Sequence, residues 1–188
     1  MVIIRQEIIS AVLGHEGGYV NNPDDSGGAT RWGITERVAR TYGYKGSMRT
    51  FPKEAAIRIY EDQYWDDMRL DEFAEISPAI AYVLMDIGVN AGIGRAGKLL
   101  QRFLNVMNQR GQLYRDLIVD GAIGSRTMAA FRAYYRHRKA EGLTVMAESL
   151  KAMQLVYYIN LAERREKDET FAYGWAVRAF KRPQIMEA

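Results

Sequence analysis

Residues 77–92, SPAIAYVLMDIGVNAG, constrain the fold more than any other stretch of this chain. A Ser-Pro pair is a helix-start signal: the serine can cap, and the proline occupies the first turn, where its missing N–H costs nothing. The run behind it is apolar almost all round, which a helix tolerates only when other elements enclose it. Further helices must therefore pack about this one, and the sequence supplies them. Ile4, Ile8, Ala11 and Val12 recur at helical spacing and stop at Gly14. Thr35 is a suitable N-cap for ERVARTY, which Gly43 ends. Pro52 suits the first turn of PKEAAIRIYEDQYW, where Ala56, Ile59, Tyr60 and Gln63–Tyr64 share a face. Helices are also predicted over 95–107, 125–137, 143–167 and 170–180. Only 19–32 resists, since its Asn, Asp, Pro and Gly suit turns around a short irregular hairpin. The expected class is mainly α (α+β), with one small irregular β-hairpin near the N-terminus.

With 188 residues, 48% of them hydrophobic, the chain can form one compact unit or two small lobes sharing a core. The glycine-rich AGIGRAG, 91–97, marks the boundary between segments 1–94 and 95–188. It also completes a G-x-G-x-x-G pattern at Gly92, Gly94 and Gly97, with Asp116 downstream. That fingerprint needs a strand before its first glycine, and here a helix precedes it, so a tight helix-to-helix junction is expected instead of a dinucleotide site. The absence of cysteine excludes disulfides and thiol catalysis; with only two histidines, thiolate or His-rich metal sites lack ligands. No metal and no cofactor are expected. Arg5 and Glu7 interrupt the apolar start, which lacks the marks of a signal peptide, and no window approaches the ~18 apolar residues of a spanning helix. The expectation is a monomer, first soluble in a cytoplasm.

Net charge is +3, unevenly spread. Residues 54–75 carry eight acids against Arg58 and Arg69, whereas Arg126, Arg132, Arg136, Arg138 and Lys139 follow one another with no acid between. Both segments read as solvated helix faces; the basic one also suits an anionic wall polymer. A nucleic-acid partner is not expected.

The segment Gly14–Thr35, GHEGGYVNNPDDSGGATRWGIT, carries the chemistry. His15-Glu16 lacks the second histidine of a zinc-protease helix, because Tyr19 stands in its place. NNPDDSGG lacks the alternating ligands and closing glutamate of a calcium loop. Taken singly, Glu16 reads as a helix-end carboxylate in an ion pair. Its setting points elsewhere. It follows an apolar helical run, where desolvation would hold its proton. Gly17 and Gly18 let a bulky substrate approach the backbone. A second carboxylate, Asp24 or Asp25, follows within one short hairpin, although turn chemistry alone could also explain that pair. Two carboxyl groups in unlike surroundings can cleave a glycosidic bond, one protonating the leaving oxygen and the other activating water or supporting the oxocarbenium ion.

EGGYVNNPDDSGGATRWGIT resembles the signature of glycoside hydrolase family 108, the N-acetylmuramidases of phages and bacteria, which opens with Glu-Gly-Gly-Tyr. YEDQYW (60–65), MDIGVNAG (85–92) and LLQRFLN (99–105) extend the likeness. VDGAIGSRTMAAF (119–131) and GWAVR (174–178) resemble that family's C-terminal module, predicted to bind peptidoglycan. The resemblance implies a lysozyme-like helical fold, a muramidase lobe over 1–94 and a wall-binding helical lobe over 95–188. The implied reaction is hydrolysis of the β-1,4 bond between N-acetylmuramic acid and N-acetylglucosamine, with Glu16 as catalytic glutamate. An endolysin of this kind would collect in the host cytoplasm before reaching the wall. An inactive wall-binding scaffold and a lytic transglycosylase are the alternatives.

A looser likeness is to phage lysozymes with Glu, eight residues, Asp, five residues, Thr. Here Glu16 is followed after eight residues by Asp25 and after four more by Thr30. Asp25 is thus the first choice for the second carboxylate, with Asp24 as substitute, and Thr30 the candidate for holding water. Tyr19 and Trp32 flank the expected cleft as sugar platforms. Tyr60, Tyr64 and Trp65 read as packing. On the buried helix, Asn90 is a candidate for bonding an N-acetyl group, and Asp86 for bracing the hairpin.

Overall fold

The computed structural model describes residues 2–14, 18–21, 28–182 and 185. Its elements run α1 (Val2–Leu13), β1 (Thr30–Arg31), β2 (Ile34–Thr35), α2 (Glu36–Thr41), α3 (Lys53–Tyr60), α4 (Leu70–Ala74), α5 (Pro78–Ala91), α6 (Ile93–Met107), α7 (Ser125–Arg164) and α8 (Glu169–Phe180). The fold is mainly α, with one two-stranded antiparallel hairpin near the N-terminus.

The helix α5 lies at the centre, as its composition requires. Every residue from Ile80 to Gly88 is buried, and α1, α4, α6 and α7 all pack against it. Ser77 caps it by accepting from the Ile80 N–H at 3.3 Å, and Pro78 opens the first turn. The core continues from Ile8 in α1 to Leu150 in α7, so residues on both sides of position 94 belong to one cluster.

Charge helps to fasten this arrangement. The Arg5 guanidinium on α1 bonds to Asp71 and lies 3.3 Å from Asp66, while the Trp65 indole N–H donates to Asp71 at 3.0 Å. Arg132 on α7 reaches Glu72 on α4 at 2.7 Å. The acidic and basic segments are therefore not merely two solvated faces; they meet at this ion pair.

Several helices differ in detail from their sequence reading. Thr35 caps α2 as expected, its hydroxyl accepting from Val38 N–H at 3.4 Å. Pro52 caps α3 instead of entering it, and the following Glu61–Asp66 widens into a π-helical turn that carries Trp65 inward. The helices predicted over 125–137 and 143–167 are two limbs of α7, broken at Lys139, which has φ +55°. Beyond the break, Gly142 accepts a 2.9 Å bond from the Tyr134 hydroxyl. A β-carbon there would stand 2.2 Å from that of Arg138. The short α4 had no counterpart in the periodicity.

The glycine-rich junction is a helix-to-helix turn. Gly92, with φ +91°, ends α5 and starts α6. Gly97 instead permits a close approach, since a β-carbon there would lie 1.9 Å from the carbonyl oxygen of Gly121. The loop 108–124 crosses α6 at that point.

Candidate active site

The helix α1 closes with Gly14 N–H donating to Ser10 at 2.8 Å. Glu16, Asp24 and Asp25 lie outside the described residues. What the structure gives is the framework that flanks them in sequence. Val20 exchanges two backbone hydrogen bonds with Thr30, at 2.9 and 2.7 Å, beside the β1–β2 ladder of Thr30↔Thr35 and Arg31↔Ile34. The regular hairpin thus sits at 30–35, at the downstream edge of the expected 19–32. The bridge at Val20 joins the chain there to β1.

The hairpin turn consists of Trp32 and Gly33, both with positive φ, +55° and +71°. Two such residues match the strand twist, but the first is normally Asn, Asp or Gly. A tryptophan in the left-handed region is costly and must be held there. Its indole N–H donates to Phe51 O at 3.1 Å, and its own carbonyl accepts from the Tyr60 hydroxyl at 3.2 Å. Arg31 and Lys53 lie 5.5 and 5.7 Å from its ring centroid, and Arg49 lies 4.4 Å from that of Tyr19. Both rings are half-buried. Thr30, also half-buried, has its hydroxyl 3.4 Å from Gly28 O. The hairpin therefore brings Tyr19, Thr30 and Trp32 onto one small unit, with cations beside both aromatics. Tyr60 and Trp65 are each 1% exposed, and Tyr60 stacks on Tyr64 at 5.3 Å, as packing residues should.

Asn90 belongs to a second cluster, at the C-terminal end of α5. Its amide donates to the Asp86 backbone oxygen at 2.7 Å and approaches the carboxylate at 3.3 Å, while its oxygen accepts from Arg178 on α8. Arg178 also lies 3.8 Å from the Asp86 carboxylate. Gln154 on α7 donates to Asp86 at 3.1 Å and lies 3.1 Å from the Tyr158 hydroxyl. Burial pushes the Tyr158 phenol up to about 12 and raises Tyr82 as well, with the Asp86 charge adding to both. Both ends of the Asn90 amide are thus engaged within the protein. The described partners of Asp86 lie on α5, α7 and α8 and tie those helices together. Sequence reasoning missed Gln154 and Tyr158; Arg178 lay within GWAVR without a role of its own.

Residues 9–92 match the family model of glycosyl hydrolase 108, and residues 95–180 match that of a predicted peptidoglycan domain. Together they span nearly the whole chain and define its class, a glycoside hydrolase directed at peptidoglycan. Within that class the likeness to glycosyl hydrolase 108 is carried by residues 9–92, and a peptidoglycan domain follows it. A solved structure described as "Structure of Brucella abortus SagA" superposes with a TM-score of 0.65 over 100% of this chain and 94% of that one, at 24% identity. At that identity the likeness speaks for the fold. No protein of curated function matches the chain. Among the described residues, no helix is long and apolar enough to cross a membrane.

Proposed function

We propose that the protein is an N-acetylmuramidase of the endolysin kind. It hydrolyses the β-1,4 bond between N-acetylmuramic acid and N-acetylglucosamine in bacterial peptidoglycan. The observation that carries this reading is the coincidence of the glycosyl hydrolase 108 match with Glu16-Gly17-Gly18-Tyr19, directly behind α1. Glu16 gives its proton to the glycosidic oxygen as the bond breaks. Asp25, or Asp24 in its place, stays ionised and supports the positive sugar or directs water. Thr30 helps to hold that water, and Tyr19 and Trp32 offer ring faces to the sugars. The hairpin supports this division of labour, since it joins the two aromatics and the threonine through one hydrogen-bonded base.

The test is Glu16→Gln, which keeps the shape of the side chain and removes its acid. Release of soluble fragments from purified peptidoglycan should fall by roughly 10²–10⁴-fold, with helical circular dichroism unchanged. A folded Gln variant that digests the wall at the original rate would reject Glu16 as the acid.

A further inference from the structure

The chain 108–124 joins α6 to α7 without regular structure and is longer than the ~2–8 residues usual between packed helices. Three amide side chains hold it, Gln101 and Asn105 on α6 and Asn108 at its C-terminal cap. Gln101 donates to Asp120 at 2.8 Å and Ala122 O at 3.0 Å, and accepts from Gly121 N–H at 2.8 Å. Asn105 exchanges bonds with Leu117 at 2.9 and 2.7 Å. Asn108 donates to Asp116 at 2.5 Å and accepts from Gly111 N–H at 2.9 Å. Positions 101, 105 and 108 are four and three residues apart, the spacing of one helix face. The loop is therefore built in place.

Between this loop and the first limb of α7 lies a groove of about 790 Å³. Its two acids are already engaged: Asp116 by Asn108, and Asp120 by Gln101 and the Ala122 N–H, which together hold the Asp120 carboxyl below its ordinary value. Its three cations are not. Arg115, Arg126 and Arg136 are exposed and make no hydrogen bond or ion pair among the described residues, whereas Arg132, on another side of α7, is taken by Glu72. Arg126, Ala130, Ala133 and Arg136 recur every three or four residues, so an alanine floor runs between two cationic ends. Ten residues of helix separate those ends by about 15 Å. Arg115 faces them from the loop side. Gly124 starts α7 without a side-chain cap, which leaves its first-turn amides to add to the attraction for anions.

Taking peptidoglycan as the substrate, as the functional reading above does, we infer that this groove binds the peptide stem of the wall. Its arginines receive the stem carboxylates and its alanine floor receives the short methyl side chains. Four extended residues span about 13–14 Å, close to the distance between Arg126 and Arg136. The guanidinium fork suits carboxylates held in a fixed direction. A phosphodiester polymer would match the charge but gain nothing from the apolar floor.

The experiment titrates free L-Ala-γ-D-Glu-diaminopimelate-D-Ala into the full chain by calorimetry, beside poly(glycerol phosphate). The wild type should bind the tetrapeptide. Arg115→Gln/Arg126→Gln/Arg136→Gln should weaken it at least tenfold, as should Ala133→Trp, which fills the groove without changing its charge. Unfolding temperature and circular dichroism establish that each variant is folded. Wild-type affinity in both folded variants overturns the proposal, as does loss of phosphate-polymer binding alone in the arginine variant. A wild type that cuts peptidoglycan glycan but ignores the tetrapeptide overturns the groove and leaves the muramidase reading standing. One that neither binds the stem nor cuts the wall overturns both.

Discussion

Trp32 concentrates the physics of the site at the scale of one residue. A bulky aromatic with φ +55° is unfavourable in isolation, yet Phe51, Tyr60, Arg31 and Lys53 all engage it. The strain is intelligible if the ring must face the substrate and glycine could not supply one. Trp32→Gly should then relax the turn while removing the ring. Stability should change little, and kcat/KM on purified peptidoglycan should fall roughly tenfold, equivalent to about 1.4 kcal/mol of transition-state binding. Retained kcat/KM in the Gly variant would make Trp32 a packing residue only. Trp32 was legible as a cleft candidate from its place in the glycine-rich segment, but its backbone conformation was not. That depends on Tyr60 and Phe51, contacts that no local pattern encodes.

At the scale of elements, the junction at α6 offers a test by sign. Gly97→Ala drives a methyl group against the Gly121 carbonyl, which must move together with the anchored loop. A loss of about 2–3 kcal/mol is expected from denaturant unfolding. Gly94→Ala, one turn earlier in the same helix, meets nothing within 4 Å. It should be neutral or gain up to about 1 kcal/mol from helix propensity. Equal effects of the two substitutions would contradict the close approach. The sequence pattern placed a tight junction here and located α1, α2, α5, α6 and the break in α7, because each is fixed by local capping, glycine or periodicity. It could not show the π-helical turn at Glu61–Asp66, whose residues equally suit an α-helix, or the pairing of the α6 amides with the loop. Those amides read as ordinary polar positions until the loop lies over them.

For the whole molecule, a shared core, the Arg132–Glu72 pair and the Asp86 cluster join the two matched regions. Tyr158 stands at that joint, and its phenol is raised by burial to about 12 from an ordinary value near 10. A raised folded-state pKa contributes stability that is fully present below pH 10 and is lost as pH climbs through 12. The unfolding-temperature gap between wild type and Tyr158→Phe should therefore hold steady up to about pH 10, then narrow as the pH approaches 12. A gap that stays constant across that window would show that Tyr158 contributes no alkaline dependence. The Asp86–Arg178 contact was illegible in one dimension, because its members lie on helices far apart in the chain.

The central claim, as proposed above, is that this chain cuts the muramic-acid glycosidic bond by adding water, with Glu16 as the acid. Mass spectrometry of purified, borohydride-reduced peptidoglycan after digestion tests it most directly. The account predicts new reduced muramic-acid ends from the wild type and almost none from Glu16→Gln. Anhydromuramic ends, new glucosamine reducing ends, or an unchanged wall would contradict it.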